Sequence, residues 1–370
     1  MMTESNGNID VLSADGWDDI LAWLPKDIDE KMRAKGAFTR SRKIKKSTDL
    51  LRIVLAYPVL RKSLPELSRW AAEKGIADLS FISIWERMQV MREFLRCLVG
   101  EMLSSFVIPT ESDLALAPID ATTFSLPGSK KRDWLLHMVW MRGQPVSIRL
   151  SKAKGTNSGE SLKHLEYLPE NTVIMGDRAY GTPPGLAHAI KNGMLFIVRF
   201  TWNNLPLYET SECTECVQPE KKLSGMKCGE IREFTAWAKG KNTAPFPLRI
   251  VVVRKDKQSA EKALRKSTYE SKRKGYTPKI ITLFMAQFIV LGTNLSEKDV
   301  TKEAIAEAFR WRWQIELEFK RFKSTTYIRK LVNQKDSTVE VYILASLVAW
   351  LLSYKIAKQK SFFPWGYPLS

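Results

Sequence analysis

The chain has 370 residues, 44% of them hydrophobic, and its 58 Lys and Arg against 40 Asp and Glu leave a net charge of +18. That length exceeds one ordinary core and predicts two or three folded units. The 12 Trp and 16 Phe exclude a disordered basic tail, so the excess charge predicts a folded protein with a polyanionic partner, nucleic acid first among them.

The chain opens on MMTESNGNID, which has no basic stretch followed by an apolar run; no secretory signal is expected, and a cytoplasmic location is. Apolar residues at three-and-four spacing predict helices over 17–24, 48–60, 64–74 and 81–103. Ser63 with Glu66 fits a capping box. From Lys31 to Lys46 there are eight basic residues and no acid, which reads either as a solvated linker or as a DNA-contacting segment. Residues 1–107 are thus expected to form a helical N-terminal DNA-binding domain.

Near Leu114 the texture changes to strands. Runs at 116–126, 135–141 and 145–151 are β-rich, the last two separated by Arg142-Gly143-Gln144, a hairpin signal. A helix at 161–167, a strand at 172–176 ending in Asp177, a helix at 184–191 and a strand at 194–200 follow. The order β, β, β, α, β, α, β is the layout of a ribonuclease H-like α/β domain, with 108–201 as its first part and its closing helix still missing. Residues 202–295 read as a mainly β insertion, with strands at 231–237, 248–253 and 280–291, interrupted by a basic helix at 259–274. From Arg254 to Lys279 ten bases face three acids: a solvated face, or a track for a DNA backbone.

The core resumes at 296–357, followed by a tail at 358–370. A start signal at 296–299 precedes a closing helix over 301–324. Ala304, Ala308, Trp311, Ile315, Phe319 and Phe322 make one apolar stripe on it. Phe309, Arg312, Glu316 and Lys323 fall within a second sector of roughly 60°. The apolar stretch at 341–356 is interrupted by Ser346, Ser353 and Lys355 and falls short of the roughly 20 residues a bilayer needs, so it reads as a buried helix with no membrane partner.

Three acids carry the candidate chemistry. Phosphoryl transfer on DNA must offset charge repulsion at the phosphate and activate a water or a sugar hydroxyl, and two divalent ions about 4 Å apart do both. Magnesium prefers carboxylate oxygen. Asp120 within the first strand and Asp177 at the end of the fourth would be neighbours in this fold, with Glu316 approaching from the helix. Arg312 and Lys323 would grip phosphates beside them. Each has a plainer reading, Asp177 as a turn or cap and Glu316 with Lys320 as a surface pair. Cys213, Cys216 and Cys228 make three quarters of a zinc site with no His nearby, and Cys97 stands alone; reduced thiols are expected. Trp202 and Trp237 read as core aromatics or as platforms for an unpaired base. No HExxH, GxSxG or glycine-rich phosphate loop occurs.

These motifs resemble the DDE transposases of the insertion-sequence-4 family. The first acid lies in IDATTFSL and the second in VIMGDRAYG. The third lies in FRWRWQIELEFKRFK, preceded by LGTNL, and is similar to the family's Tyr-x2-Arg-x3-Glu-x6-Lys pattern. The likeness runs over about residues 35–357, including AFTRSRKIK. It implies that Asp120, Asp177 and Glu316 are catalytic and hold two Mg2+, which Mn2+ can replace, and that Arg178, Arg312, Lys320 and Lys323 bind DNA phosphates. It further implies nicking at transposon ends, attack by a 3′-hydroxyl directly or through a hairpin, transfer into target double-stranded DNA, and a homodimeric synaptic complex. Phe309 stands where the pattern has Tyr, and the chain ends soon after Ile356, so weakened activity or a truncated copy acting as a DNA-binding inhibitor is one alternative. A ribonuclease H-like nuclease without strand transfer is another.

Overall fold

The computed structural model describes residues 14–104, 114–141, 144–153, 162, 168, 171–240, 243–326, 328, 331 and 335–359. The helix expected at 161–167 and the turn residues Arg142 and Gly143 lie outside the described residues, Leu162 and Gln144 excepted. The elements begin with α1 (Ala14–Leu21), α2 (Ile28–Ala34), α3 (Ser47–Leu60), α4 (Leu64–Glu73), α5 (Phe81–Val90) and α6 (Arg92–Ser104). Then come β1 (Ala115–Phe124), β2 (Trp134–Met141), β3 (Gln144–Lys152), β4 (Thr172–Gly176), α7 (Pro183–Lys191), β5 (Leu195–Arg199), β6 (Leu207–Tyr208) and α8 (Pro219–Leu223). The remainder is β7 (Ile231–Ala238), β8 (Phe246–Arg254), α9 (Lys257–Arg273), α10 (Ile280–Ala286), β9 (Phe288–Thr293), α11 (Lys302–Trp311), α12 (Trp313–Thr326) and α13 (Asp336–Gln359). These elements divide into a helical unit (1–107, 123–134 and 318–370) and a sheet unit (108–122 and 135–317).

In the helical unit, α3 and α13 are apolar nearly all round, and a helix without a polar face is stable only when surrounded. Accordingly, α13 packs on α3, α5 and α6. The Tyr57 and Tyr342 rings meet edge-on with centroids 5.2 Å apart, and Trp85 and Gln89 both donate to the Thr338 hydroxyl. Although residues 336–356 are long and apolar enough to cross a membrane, 72% of the most apolar stretch is buried within the protein. At the start of α4, Ser63 and Glu66 form the capping box read from the sequence. The single helix expected over 81–103 is two: the Met91 amide bonds to the Met88 carbonyl, three residues back, and ends α5. No Gly or Pro marks that turn, and fully buried Met91 fills the corner.

The sheet unit holds a nine-stranded mixed sheet in the order β3-β2-β1-β4-β5-β9-β8-β7-β6, flanked by helices, consistent with a ribonuclease H-like domain. β1, β4 and β5 run parallel, and β9, β8 and β7 continue from β5 in antiparallel pairs. The strands between 231 and 254 therefore extend the central sheet. A further correction falls on 280–291, where α10 precedes a shorter β9.

Because side chains alternate across a strand, the sheet has two cores. One face buries Ile119, Ile174, Phe196, Val198, Ile250 and Val290 against Leu186 and Ala189 of α7. The other buries Val173, Met175, Ile197, Val251 and Leu291 against Ile305 of α11. The loop after β4 must pass close to β5. A Cβ on Gly181 would lie 2.8 Å from both the Arg199 carbonyl oxygen and Phe200 Cβ. Gly181→Ala is therefore expected to destabilise the protein by about 1–3 kcal/mol through overpacking, read as a lower urea midpoint.

Candidate active site

Strand register brings the first two acids together. β1 and β4 pair as Leu116↔Val173, Pro118↔Met175 and Ile119↔Gly176, so the next position on each chain is Asp120 beside Asp177. Parallel neighbours lie about 4.8 Å apart with side chains on a common face. That face is the one carrying Val173 and Met175, since Asp177 follows them at intervals of two. The same step along β5, from Gly176↔Val198, sets Arg199 beside Asp177.

The Asp177 loop is held from several sides. Its Oδ1 accepts from the Ala179 amide at 2.8 Å, its carbonyl accepts from the Tyr180 amide at 3.1 Å, and the buried Tyr180 hydroxyl lies 3.3 Å from His137 Nδ1 on β2. Asp120 Oδ1 accepts from the Ala121 amide at 2.8 Å.

The third acid arrives on a helix that differs from expectation. Thr301 caps α11, its hydroxyl accepting from the Ala304 amide. The single helix expected over 301–324 breaks at Arg312, whose amide bonds to the Phe309 carbonyl. The break shifts the helix faces: Ile305 and Ala306 are buried on α11, Trp311 is 52% exposed, and Ile315, Phe319 and Phe322 are buried on α12. Trp311 is thus not part of the core stripe, because the wheel that placed it there was drawn through a turn.

Arg312 links the acids. Its Nη2 donates to Glu316 Oε1 at 2.6 Å and its Nη1 lies 3.8 Å from Asp120 Oδ2, beyond hydrogen-bond reach. Nη1 is buried and makes no hydrogen bond. The guanidinium also stands 5.7 Å from the centroid of the Phe309 ring. Asp120 is pushed up to about 6, first by burial and then by the negative charges of Asp177 and Glu316, against the pull of the Ala121 amide and Arg312. A buried carboxylate whose ionisation two neighbouring acids oppose makes a site that a cation relieves. Oxygen donors are the set that Mg2+ takes, so the residues fit such an ion. Among the described residues, however, no three His, Cys, Asp or Glu stand close enough to hold a metal as they are. The Cys213, Cys216 and Cys228 thiols are in no disulfide and, among the described residues, form no group of three that could hold a metal.

Of the predicted phosphate ligands, Arg178 follows Asp177 and is exposed. Lys320 and Lys323 belong to the helical unit, Lys320 exposed and Lys323 5.8 Å from the centroid of the Phe124 ring. Trp202 is half-buried against the sheet core, and Trp237 is half-buried on β7. Two residues were missed. Arg199 is lowered to about 10 by burial, then by Arg178 and Arg312, with Asp177 opposing. Lys255 is lowered to about 8 by burial, then by Arg199 and Arg178. Arg199 had no signal in its own stretch of sequence: only the pairing of β4 with β5, Val173 against Leu195, sets it beside Asp177. Lys255 had none in a chain with 58 basic residues.

Residues 112–352 match the family described as "Transposase DDE domain". The chain is 30% identical over 363 residues to the InsL protein of insertion sequence element IS186A of Escherichia coli (strain K12), covering 95% of this chain and 96% of that one. It is equally similar, 30% over 364 residues with the same coverage, to the transposase for insertion sequence element IS421 of Escherichia coli. A more distant likeness, 25% over 224 residues, covers 57% of this chain and 46% of the transposase for insertion sequence element IS231E of Bacillus thuringiensis subsp. finitimus. With the matched segment spanning Asp120, Asp177 and Glu316, the chain belongs to the transposase DDE domain family and is a DDE transposase, a polynucleotidyl transferase.

Proposed function

We propose that this chain is the transposase of an insertion sequence of the insertion-sequence-4 family, acting in the cytoplasm as a dimer on DNA. It would cut its element's ends in a metal-dependent step and join the freed 3′ ends to target DNA. The observation that carries the reading is the register of β1 on β4, which aligns Asp120 with Asp177 on the face where Arg312 reaches Asp120 and Glu316.

Asp120, Asp177 and Glu316 would hold two Mg2+. When bound, the ions supply positive charge against the phosphate and lower the pKa of an attacking water. The remaining roles fall to the chain itself. Arg312, with Nη1 buried and unbonded, is suited to take a phosphate oxygen in a charge-assisted bond. Arg178, Lys320 and Lys323 serve the same purpose along the strand. Phe309 keeps the ring under Arg312 without the hydroxyl of the family pattern.

The test is incubation of the chain with a labelled duplex bearing its own element's end, with Mg2+ or Mn2+, beside Glu316→Ala. Nicks and joined products with the native chain alone are expected. Metal-dependent nicking that survives in Glu316→Ala would overturn the site, and cleavage that never yields joined products would leave a nuclease. The basic face of α9 contributes to DNA binding in this reading. Replacing Arg265, Lys266, Arg273 and Lys274, all exposed, by Gln should flatten the salt dependence of duplex binding; an unchanged slope refutes that track.

A further inference from the structure

A cleft of about 500 Å³ opens beside the carboxyl end of β5, lined among others by Arg178, Arg199, Lys255, Trp202, Phe288 and Lys274. Arg178, Arg199, Lys255, Lys266 and Lys274 line this one cleft against a single acid, Glu270. Among the described residues, none of Arg178, Arg199 and Lys255 is in an ion pair with a carboxylate. Among the described residues Lys255 Nζ donates to the Ala286 carbonyl, and Glu270, the acid of the cleft wall, is 3.9 Å from Lys266. Asp177 faces Arg199, but one carboxylate does not neutralise three cations. Uncompensated charge in a half-buried cleft is costly unless an anion completes it.

We propose that Arg178, Arg199 and Lys255 form a second phosphate site, next to Asp177, that holds a backbone phosphodiester of the bound DNA strand. The inference rests on the reading of Asp120, Asp177 and Glu316 as the cleavage site, because that reading is what brings a DNA strand past Asp177. Arg199 supplies a planar fork for two phosphate oxygens, and Lys255 a point charge beneath it. The apolar floor of Phe288, Val290 and Phe200 lowers the local dielectric and strengthens both contacts.

The experiment is binding of a duplex bearing the element's end, without divalent ion, as a function of salt. The double variant Arg199→Gln/Lys255→Gln is expected to lower the slope of log K against log[salt] by about one, whereas charge-keeping Arg199→Lys should retain it. A methylphosphonate walked along the strand should find one position that weakens the native chain roughly tenfold or more and leaves the double variant unaffected. A native slope and an unchanged methylphosphonate profile in the double variant overturn the site. If that occurs while the native chain still nicks with Mg2+, the phosphate site alone is wrong. If the slope falls as expected but the native chain never nicks, the cleavage reading fails and the site stands as a DNA contact.

Discussion

Asp120→Asn should abolish nicking and, in the absence of metal, make the protein more stable by about 3 kcal/mol at pH 7. The two effects have one cause. Burial beside Asp177 and Glu316 raises Asp120 from 3.8 to about 6, and each unit is worth about 1.4 kcal/mol of preference for the protonated form. Between those pH values the native state binds more protons than the unfolded chain, so the stability of the metal-free protein falls as pH rises through this window and is level above it. Asparagine removes the penalty and can still accept from the Ala121 amide. It also removes a metal ligand, for which a loss on the order of 10³-fold or more in rate is expected. Urea denaturation at pH 7 and near pH 4 reads the stability difference, which should shrink as pH falls. A variant no more stable than the native chain at pH 7 would show that burial does not strain the Asp120 carboxylate. In the native chain the same protonation competes with Mg2+, so half-saturation should need more metal below about pH 6.

The part of this site that was legible in the sequence was the part carried by short periods. Asp120 sits within an alternating run and Asp177 at the end of a wholly apolar one, and period-two reasoning places each on a definite face. Glu316 was found through its spacing from Arg312, which survives the helix break because both lie within one turn of it: the guanidinium still reaches Oε1 at 2.6 Å. Longer extrapolation failed at the same place. Trp311 was assigned to the core by a wheel continued across Arg312, where neither Gly nor Pro warns of a turn. Residues 280–286, IITLFMA, are β-branched and apolar enough to read as the start of the strand that follows, and an unbroken apolar run does not distinguish helix from strand. Arg199 and Lys255 depend on which strands are neighbours, a property no local window contains.

The closing helix is also held from a distance, and Arg249→Met should expose that. Arg249 on β8 is 10% exposed in its side chain and pairs with Glu233 on β7, itself 18% exposed. Its Nε donates to Glu233 Oε2 at 2.8 Å, and its Nη1 donates to the Val300 carbonyl at 2.7 Å, in the segment that leads into Thr301 and α11. One guanidinium thus joins the extended sheet to the start of the helix that ends at Arg312. Methionine would keep much of the volume but leave the Glu233 carboxylate and the Val300 carbonyl without their donor. Breaking one side of such a buried pair costs about 3–5 kcal/mol, because the remaining charge is stranded. Glu233→Met should cost a similar amount for the opposite reason, stranding Arg249. The double variant should recover part of the loss, giving a coupling energy of roughly 1–3 kcal/mol in a double-mutant cycle of urea midpoints. Loss of the Val300 bond should not be recovered, since it needs the guanidinium whichever residue stands at 233. The double variant is therefore expected to be destabilised by less than the sum of the two single variants, yet to nick more slowly than the native chain. Single variants within 1 kcal/mol of the native protein would show that α11 is positioned by its packing on the sheet alone.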